Sequence, residues 1–386
     1  MSRTFKSTTG LSRRFLNLIA ANHSPGVKSL HRIGLGRIFN STPGPIPNGD
    51  RLESAAGQED YMVRPRALDI IRLPTPVMSF RSSASFESKE WKLDCFPLSD
   101  CKVFCMDQSG RGFLFDANSC GVSTVAHLHT PKVKPISLSI PQPNVDEDDH
   151  NDEWGSKLFI LESMPEEPEV NCQFEAFIYR MRDVYPRVLK HWNRHLVPPP
   201  PPFIRETVNQ NSRRLEVTSY AVIEDGSHIC ISIEGAGTYC MHTVSHTWNR
   251  VGEWTLPFRG KIEYVPELKL WFGTSAESGH LAAADLSAMD SQPQLVGTWK
   301  ELDPPEGWKE CKDSQVVNLG SGRFCIARFF KKNPVDVRSG DELPGQSFAV
   351  LTGVEVVNRG CDAEVELRMV THKSRRVNST TIETLF

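Results

Sequence analysis

The stretch Ile231-Ser-Ile-Glu-Gly-Ala-Gly-Thr-Tyr-Cys240, ISIEGAGTYC, decides between two folds. Apolar residues alternate into Gly-Ala-Gly. A dinucleotide-binding turn would need a third glycine and a helix directly after it, because the helix N-terminus carries the phosphate. Here the third glycine is missing, and Thr238-Tyr-Cys-Met241 continues as another strand-like run. The other reading is a β-hairpin, whose short loop needs a backbone with φ > 0 that glycine adopts at no steric cost. The stretch reads as a hairpin tip.

Working outward, the same grammar recurs. Ser219–Ile223 turns at Glu224-Asp-Gly-Ser227 into His228–Ile233, and Trp248–Trp254 follows the hairpin as a fourth strand. Lys261–Val265 turns at Pro266-Glu267 into Leu268–Phe272, then runs through His280–Asp285 to Gln294–Trp299. Gln315–Leu319 turns at Gly320-Ser-Gly322 into Phe324–Phe330. Nearer the N-terminus, Lys102–Asp107 turns at Gln108-Ser-Gly110 into Gly112–Asp116, and Val122–Leu128 follows. Short runs rich in Val, Ile, Phe and Tyr, each closed by turn residues, are strands. The later copies step by roughly 40 to 55 residues, the period of a four-stranded propeller blade. A less regular unit fits Lys157–Met181. The pair Phe348–Val357 and Ala363–His372 is expected to join Val77–Phe80 and close the ring.

The expected fold is all-β, a propeller of about six four-stranded blades. A β-sandwich pair is the rival architecture, but each meander ends in a tryptophan-bearing outer strand and the chain has no long crossover. Trp248, Trp254, Trp271, Trp299 and Trp308 fall within the repeats and are expected as wedges between blades rather than ligand platforms. Val184–Leu196 alone in the body has helical spacing and is expected as a short helix before Pro198. Pro198–Pro202 must be extended, and reads as a stiff connector or, less readily, as a docking segment for a partner.

The first fifty residues are different. From Met1 to Gly49 there is no Asp or Glu, while Arg3, Lys6, Arg13, Arg14, Lys28, Arg32 and Arg37 make the segment basic. Acid-poor composition with Leu11–Ile19 as a possible amphipathic helix reads as a transit peptide, a disordered tail or a structural arm. Asn40–Gln58 is a Pro/Gly/Ser-rich linker. The division expected is 1–60 for the basic segment and linker, and 61–386 for the propeller, folded from about Leu68–Leu73.

Composition excludes several functions. With 44 Lys and Arg against 47 Asp and Glu, net charge is −3, so a nucleic-acid partner is not expected. No apolar run approaches the roughly 20 residues of a membrane-spanning helix, so no membrane insertion is expected. The ten cysteines include no Cys-x-x-Cys, and only Cys101 and Cys105 approach metal-ligand spacing. No metal and no cofactor are expected, and the thiols fit a reduced intracellular compartment, cytoplasm or nucleus, with the mitochondrion as the alternative the basic segment offers.

Catalytic signatures are absent: no nucleophile elbow, zinc helix or Walker loop occurs. Ser227-His228, Cys240, His242, His246 and Asp285 are chemically suitable but common types. The acidic run Asp146–Glu153 lacks the glycine of a calcium loop and reads as a solvated loop able to pair with a basic partner.

Ser219–Gly273, with SYAVIEDGSHICIS, GTYCMHTVSHTWNRVGEWTLPF and KIEYVPELKLWFG, resembles a family of uncharacterised plant proteins expanded in grasses and described by a domain of unknown function. RRFLNLIAANHSPGVKSLHRI, LAAADLSAMDSQPQLVGTWKEL and VVNLGSGRFCIARFF fit the same family. The resemblance implies a kelch-like propeller, with Arg13–Ile33 as a structural arm, and carries no catalytic residues. The chain lacks the kelch Gly-Gly doublet, and the segment before Leu68 is too short and polar for an F-box.

The expected function is a non-catalytic protein-interaction scaffold or adaptor. Its binding loops would hold Asp107, Gln108, Glu224, Asp225, Ser227, Glu267, Ser321 and Arg323, all on one face. The alternative is an enzyme acting on a glycan or small metabolite, with Asp107, Glu224, Asp225 and Glu267 as channel carboxylates converging within about 5 to 10 Å.

Overall fold

The computed structural model describes residues 13–22, 24–40, 68–82, 91–141, 156–165, 174–184, 187–204, 215–223, 226–332, 346–358, 366–377 and 381–386. It contains strands and two short 3-10 turns, with no α-helix among these residues.

Six four-stranded meanders surround a central channel. The second blade is Leu93–Pro97, Lys102–Asp107, Gly112–Asp116 and Gly121–Thr124. The third is Pro135–Ile140, Lys157–Glu162, Phe174–Val184 and Arg187–Leu196. The fourth is Val217–Ile223, His228–Ile233, Gly237–His242 and Trp248–Gly252; the fifth is Phe258–Val265, Leu270–Ser275, Leu281–Ala284 and Leu295–Trp299. These two join into one sheet because their innermost strands pair in parallel, Ser219 opposite Gly260 and Ala221 opposite Ile262. The sixth is Lys309–Gly320, Arg323–Lys332, Gln346–Asn358 and Leu367–Val377, edged by Ile70–Ile71.

The first blade closes the ring. Thr381–Leu385 is its innermost strand, followed outward by Phe15–Ala21, Val27–Gly34 and Met78–Arg81. The last of these overlaps Val77–Phe80, the segment expected to take part in closure. Two expectations are corrected here. The strands expected as its partners, Phe348–Val357 and the described part of Ala363–His372, lie instead in the third and fourth positions of the sixth blade, within Gln346–Asn358 and Leu367–Val377. The basic arm is not a helix over its apolar stretch: Phe15–Ala21 is a strand, held on one side by Val27–Gly34 and on the other by the last strand of the chain.

Burial follows position in the blade. On Val217–Ile223, an innermost strand, Val217, Ser219, Ala221 and Ile223 are buried while Thr218, Tyr220 and Val222 are half-buried. That is the period of two of a strand with one face toward the channel. The next strand, His228–Ile233, is buried at every residue after His228, because blades cover both its faces. The core accordingly divides into clusters between neighbouring blades. Leu16, Leu18 and Leu385 of the first blade meet Leu319 and Leu351 of the sixth, and Phe104 of the second meets Phe177 of the third at 5.5 Å.

Trp248 of the fourth blade meets Phe174 of the third at 6.1 Å and Trp299 packs on the cluster shared by the fifth and sixth blades, as wedges would, while Trp308 meets Phe330 and Phe348 of the sixth. The segment expected as a helix near Leu196 is the outer strand Arg187–Leu196. The five-proline run links the third and fourth blades, and it is not extended throughout, as its last two prolines enter the 3-10 turn Pro201–Phe203. Pro199 and Pro200 are buried, Phe203 enters the core, and Trp248 Nε1 donates to the Pro198 carbonyl at 2.8 Å.

Candidate functional site

Each blade turns first between its innermost and second strands, and second between its second and third. These turns lie on opposite faces of the ring. Neighbouring first turns meet in two pairs: Gly226 sits so close to Ile140 that an added Cβ would lie 2.7 Å from its Cγ2, and Glu267 Oε1 accepts from the Ser321 N–H at 3.1 Å.

Of the eight residues expected as binding loops, four of the described ones, Ser227, Glu267, Ser321 and Arg323, fall in first turns or directly beside them. Glu267 is exposed, Ser321 is exposed, and Arg323 lies 5.7 Å above the Phe39 ring. Ser227 is half-buried, its hydroxyl 2.9 Å from His228 Nδ1, and its carbonyl accepts from Thr243 N–H. Glu224 and Asp225 lie outside the described residues, between Ile223 and Gly226.

Asp107 and Gln108 go to the other face. They occupy the second turn of their blade, beside the start of its innermost strand, where Gln108 N–H donates to the Lys92 carbonyl. The expectation that all eight share one face is therefore corrected. The cause is a missed strand: Leu93–Pro97 precedes Lys102–Asp107, so the turn at Asp107 is the blade's second. Asp107 is buried and accepts from Ser109 N–H at 2.8 Å and Arg111 N–H at 3.0 Å. It shapes its own turn. Asp285 does the same with Ser287 N–H at 2.8 Å.

The channel is lined by one residue or more from every innermost strand, among them Phe96, Ser137, Tyr220, Glu263, Gln315 and Thr384. Its cavity measures about 570 Å³. The carboxylates that line it are not those expected; they are Asp94, Glu263, Asp313 and Glu383. Each has a cation: Lys92 lies 3.1 Å from Asp94, Lys261 2.5 Å from Glu263, Arg259 3.1 Å from Asp313, and Lys28 pairs with Glu383. Burial pushes the Glu263 carboxyl up, but Lys261, Arg13 and the Asn318 N–H together hold it below its ordinary value. Burial carries Asp94 the other way, above its ordinary value, against the pull of Lys92. Burial pushes the Tyr220 phenol up to about 12.

These channel residues are illegible in sequence because the innermost strands are the least regular. Lys261 and Glu263 read as strand residues, and their two-residue spacing, which puts both on one face, is the available signal. Among the described residues no three His, Cys, Asp or Glu side chains gather as metal ligands would, and no helix is long and apolar enough to cross a membrane.

Six radial four-stranded sheets around a lined channel, closed by the last strand against the first, define a β-propeller. The chain belongs to the family described as a protein of unknown function, DUF1668, which matches residues 13–377. Among solved structures it is similar to the periplasmic gluconolactonase PpgL of Pseudomonas aeruginosa, 12% identical over 96% of this chain and 98% of that one, with a TM-score of 0.39. A protein from Lactobacillus plantarum is 10% identical over 95% and 99%, also at 0.39. The Cps50 (Swd1) β-propeller domain of Myceliophteria thermophila is 10% identical over 71% and 96%, at 0.27. No curated protein matches the sequence. The blade assignment rests on the strand order itself.

Proposed function

We propose that the protein is a non-catalytic adaptor that binds a basic protein partner on its first-turn face. One observation carries this reading. The described acids of first turns are Asp100 of the second blade and Glu267 of the fifth, both exposed. In the sequence Glu224-Asp225 directly follows Ile223 and the acidic run Asp146–Glu153 falls between Ile140 and Lys157, both stretches outside the described residues. Like charges brought to one face raise the local potential and steer a cationic partner. Propellers suit such work because their sheet edges are short while turns at either end vary freely.

The enzyme alternative is disfavoured by the channel carboxylates, each of which is committed to a cation. A general acid or base needs a pKa near the working pH; the Glu263 carboxyl is held below its ordinary value, and Asp94, which burial raises, is paired with Lys92. Kelch-like blades and a plant source belong to the same reading. So does an intracellular location, cytoplasm or nucleus; loss of a mitochondrial peptide reaching beyond Ala21 would remove a strand of the closing blade.

The test is capture from cell extract by wild-type protein and by Glu224→Lys/Asp225→Lys/Glu267→Lys. A basic protein held by the wild type at low salt, released by about 0.5 M salt and lost in the variant, is the expected result. Capture indifferent to the three substitutions contradicts it.

A further inference from the structure

Two channel cations stand apart from the ion pairs. Arg13, just ahead of the first strand, lines the cavity with a buried Nη1 that has no hydrogen-bond partner among the described residues. Lys312, on the innermost strand of the sixth blade, lines the same cavity and donates to the Glu383 carbonyl at 2.7 Å. Among the described residues neither forms an ion pair with a carboxylate. A buried guanidinium nitrogen without an acceptor costs free energy that an anion would recover.

We infer that the channel is a binding site for a small organic anion bearing phosphate or carboxylate groups, held between Arg13 and Lys312. The remaining lining fits that ligand. A cavity of about 570 Å³ falls within the range of small-molecule sites. The guanidinium of Arg13 offers the planar fork that pairs with two oxygens at once, and Lys312 offers a point charge. The Tyr220 hydroxyl, whose pKa burial lifts to about 12, remains a proton donor at every physiological pH. Burial also lowers the Lys312 pKa, which is the direction expected of a cation whose counter-charge is missing. The nearest acids are already engaged: Glu263, which feels Arg13, is held by Lys261, and Glu383, which feels Lys312, is held by Lys28. This site is separate from the first-turn face and does not depend on it.

The experiment is calorimetric titration of the full chain with inorganic phosphate and, separately, with succinate, at constant ionic strength. The expected result is saturable binding of at least one, weakened about tenfold or more by Arg13→Gln and by Lys312→Gln. Arg250→Gln, which alters an exposed arginine paired with Glu253, leaves it unchanged. Binding of phosphate alone assigns a phosphate ester, and binding of succinate alone assigns a carboxylate. Lys312→Arg keeps the charge and should retain much of the affinity, and Arg13→Lys, which keeps the charge but loses the fork, should bind between wild type and Arg13→Gln; both guard against a variant that merely misfolds. No saturable heat with either anion up to about 10 mM, or binding that both glutamine variants leave intact, overturns the proposal.

Discussion

Glu267 Oε1 accepts a hydrogen bond from the backbone N–H of Ser321 at 3.1 Å, across the boundary between the fifth and sixth blades. It fixes one first turn by means of the next. Because Glu267 is exposed, the bond adds little to global stability; Glu267→Ala is expected to cost less than about 1 kcal/mol. Its effect is local. Amide hydrogen exchange at Ser321 should quicken by up to about tenfold in the variant, while exchange on the second-turn face stays unchanged.

The hairpin at Gly235-Ala-Gly237 makes an asymmetric prediction. Both glycines have positive φ, 73° and 103°. A Cβ on Gly235 meets open space, whereas one on Gly237 would lie 2.3 Å from the Gly252 carbonyl oxygen. Gly235→Ala should therefore cost about 1 kcal/mol, the ordinary penalty of left-handed backbone. Gly237→Ala adds a clash with a neighbouring strand and should cost at least about 2 kcal/mol more. Urea unfolding of the two variants compares them directly.

The Lys132 ammonium lies 2.5 Å from Glu175, and both side chains are sealed from water. Glu175 also accepts from the His129 N–H at 2.9 Å, so the pair pins the connection between the second and third blades. Removing Lys132 leaves the buried Glu175 carboxylate with only the more distant Arg194 guanidinium, at 3.9 Å, as a counter-charge. Lys132→Met is expected to cost about 3 to 5 kcal/mol, and Lys132→Met/Glu175→Leu less than the two single costs added. A double-mutant cycle by denaturant unfolding measures the difference.

Glu263 and Asp94 should leave opposite marks on acid stability. The folded-state pKa of Glu263 is below its ordinary value, so its contribution is present above that ordinary value and is lost as pH falls toward the folded one. Asp94 is raised, so the folded state holds its proton more firmly, and stability declines as pH climbs from the ordinary value to the raised one. Across about pH 3 to 6, Glu263→Gln should flatten the rise in stability with pH, and Asp94→Asn should steepen it. Unfolding curves collected across that range check both signs.

The fourth and fifth blades are legible in sequence almost strand for strand, because their turns are tight and glycine-marked and their strands alternate. Other strands are hidden for physical reasons. In Val184–Leu196 the apolar residues Val184, Val188, Trp192 and Leu196 are spaced by four, which satisfies a helix face and, being even, a strand face equally. Leu93–Pro97 is short and ends in proline, and Thr381–Leu385 carries three polar residues of five, so neither reads as core. Missing the first of these puts Asp107 on the wrong face. Missing the second hides the partner that turns the basic segment from an arm into part of the closing blade. The channel cations are beyond the sequence altogether, since only the closed ring brings Arg13 and Lys312 to one cavity.

The two faces of the ring supply their own control for the central functional claim. Hydrogen exchange of the full chain should be measured with and without the basic partner bound. The account predicts slower exchange at Gly226–His228, Leu268–Leu270 and Ser321–Arg323, all on the first-turn face, with Ser109–Gly112 unchanged. Protection confined to Ser109–Gly112 and the rest of the second-turn face would contradict it.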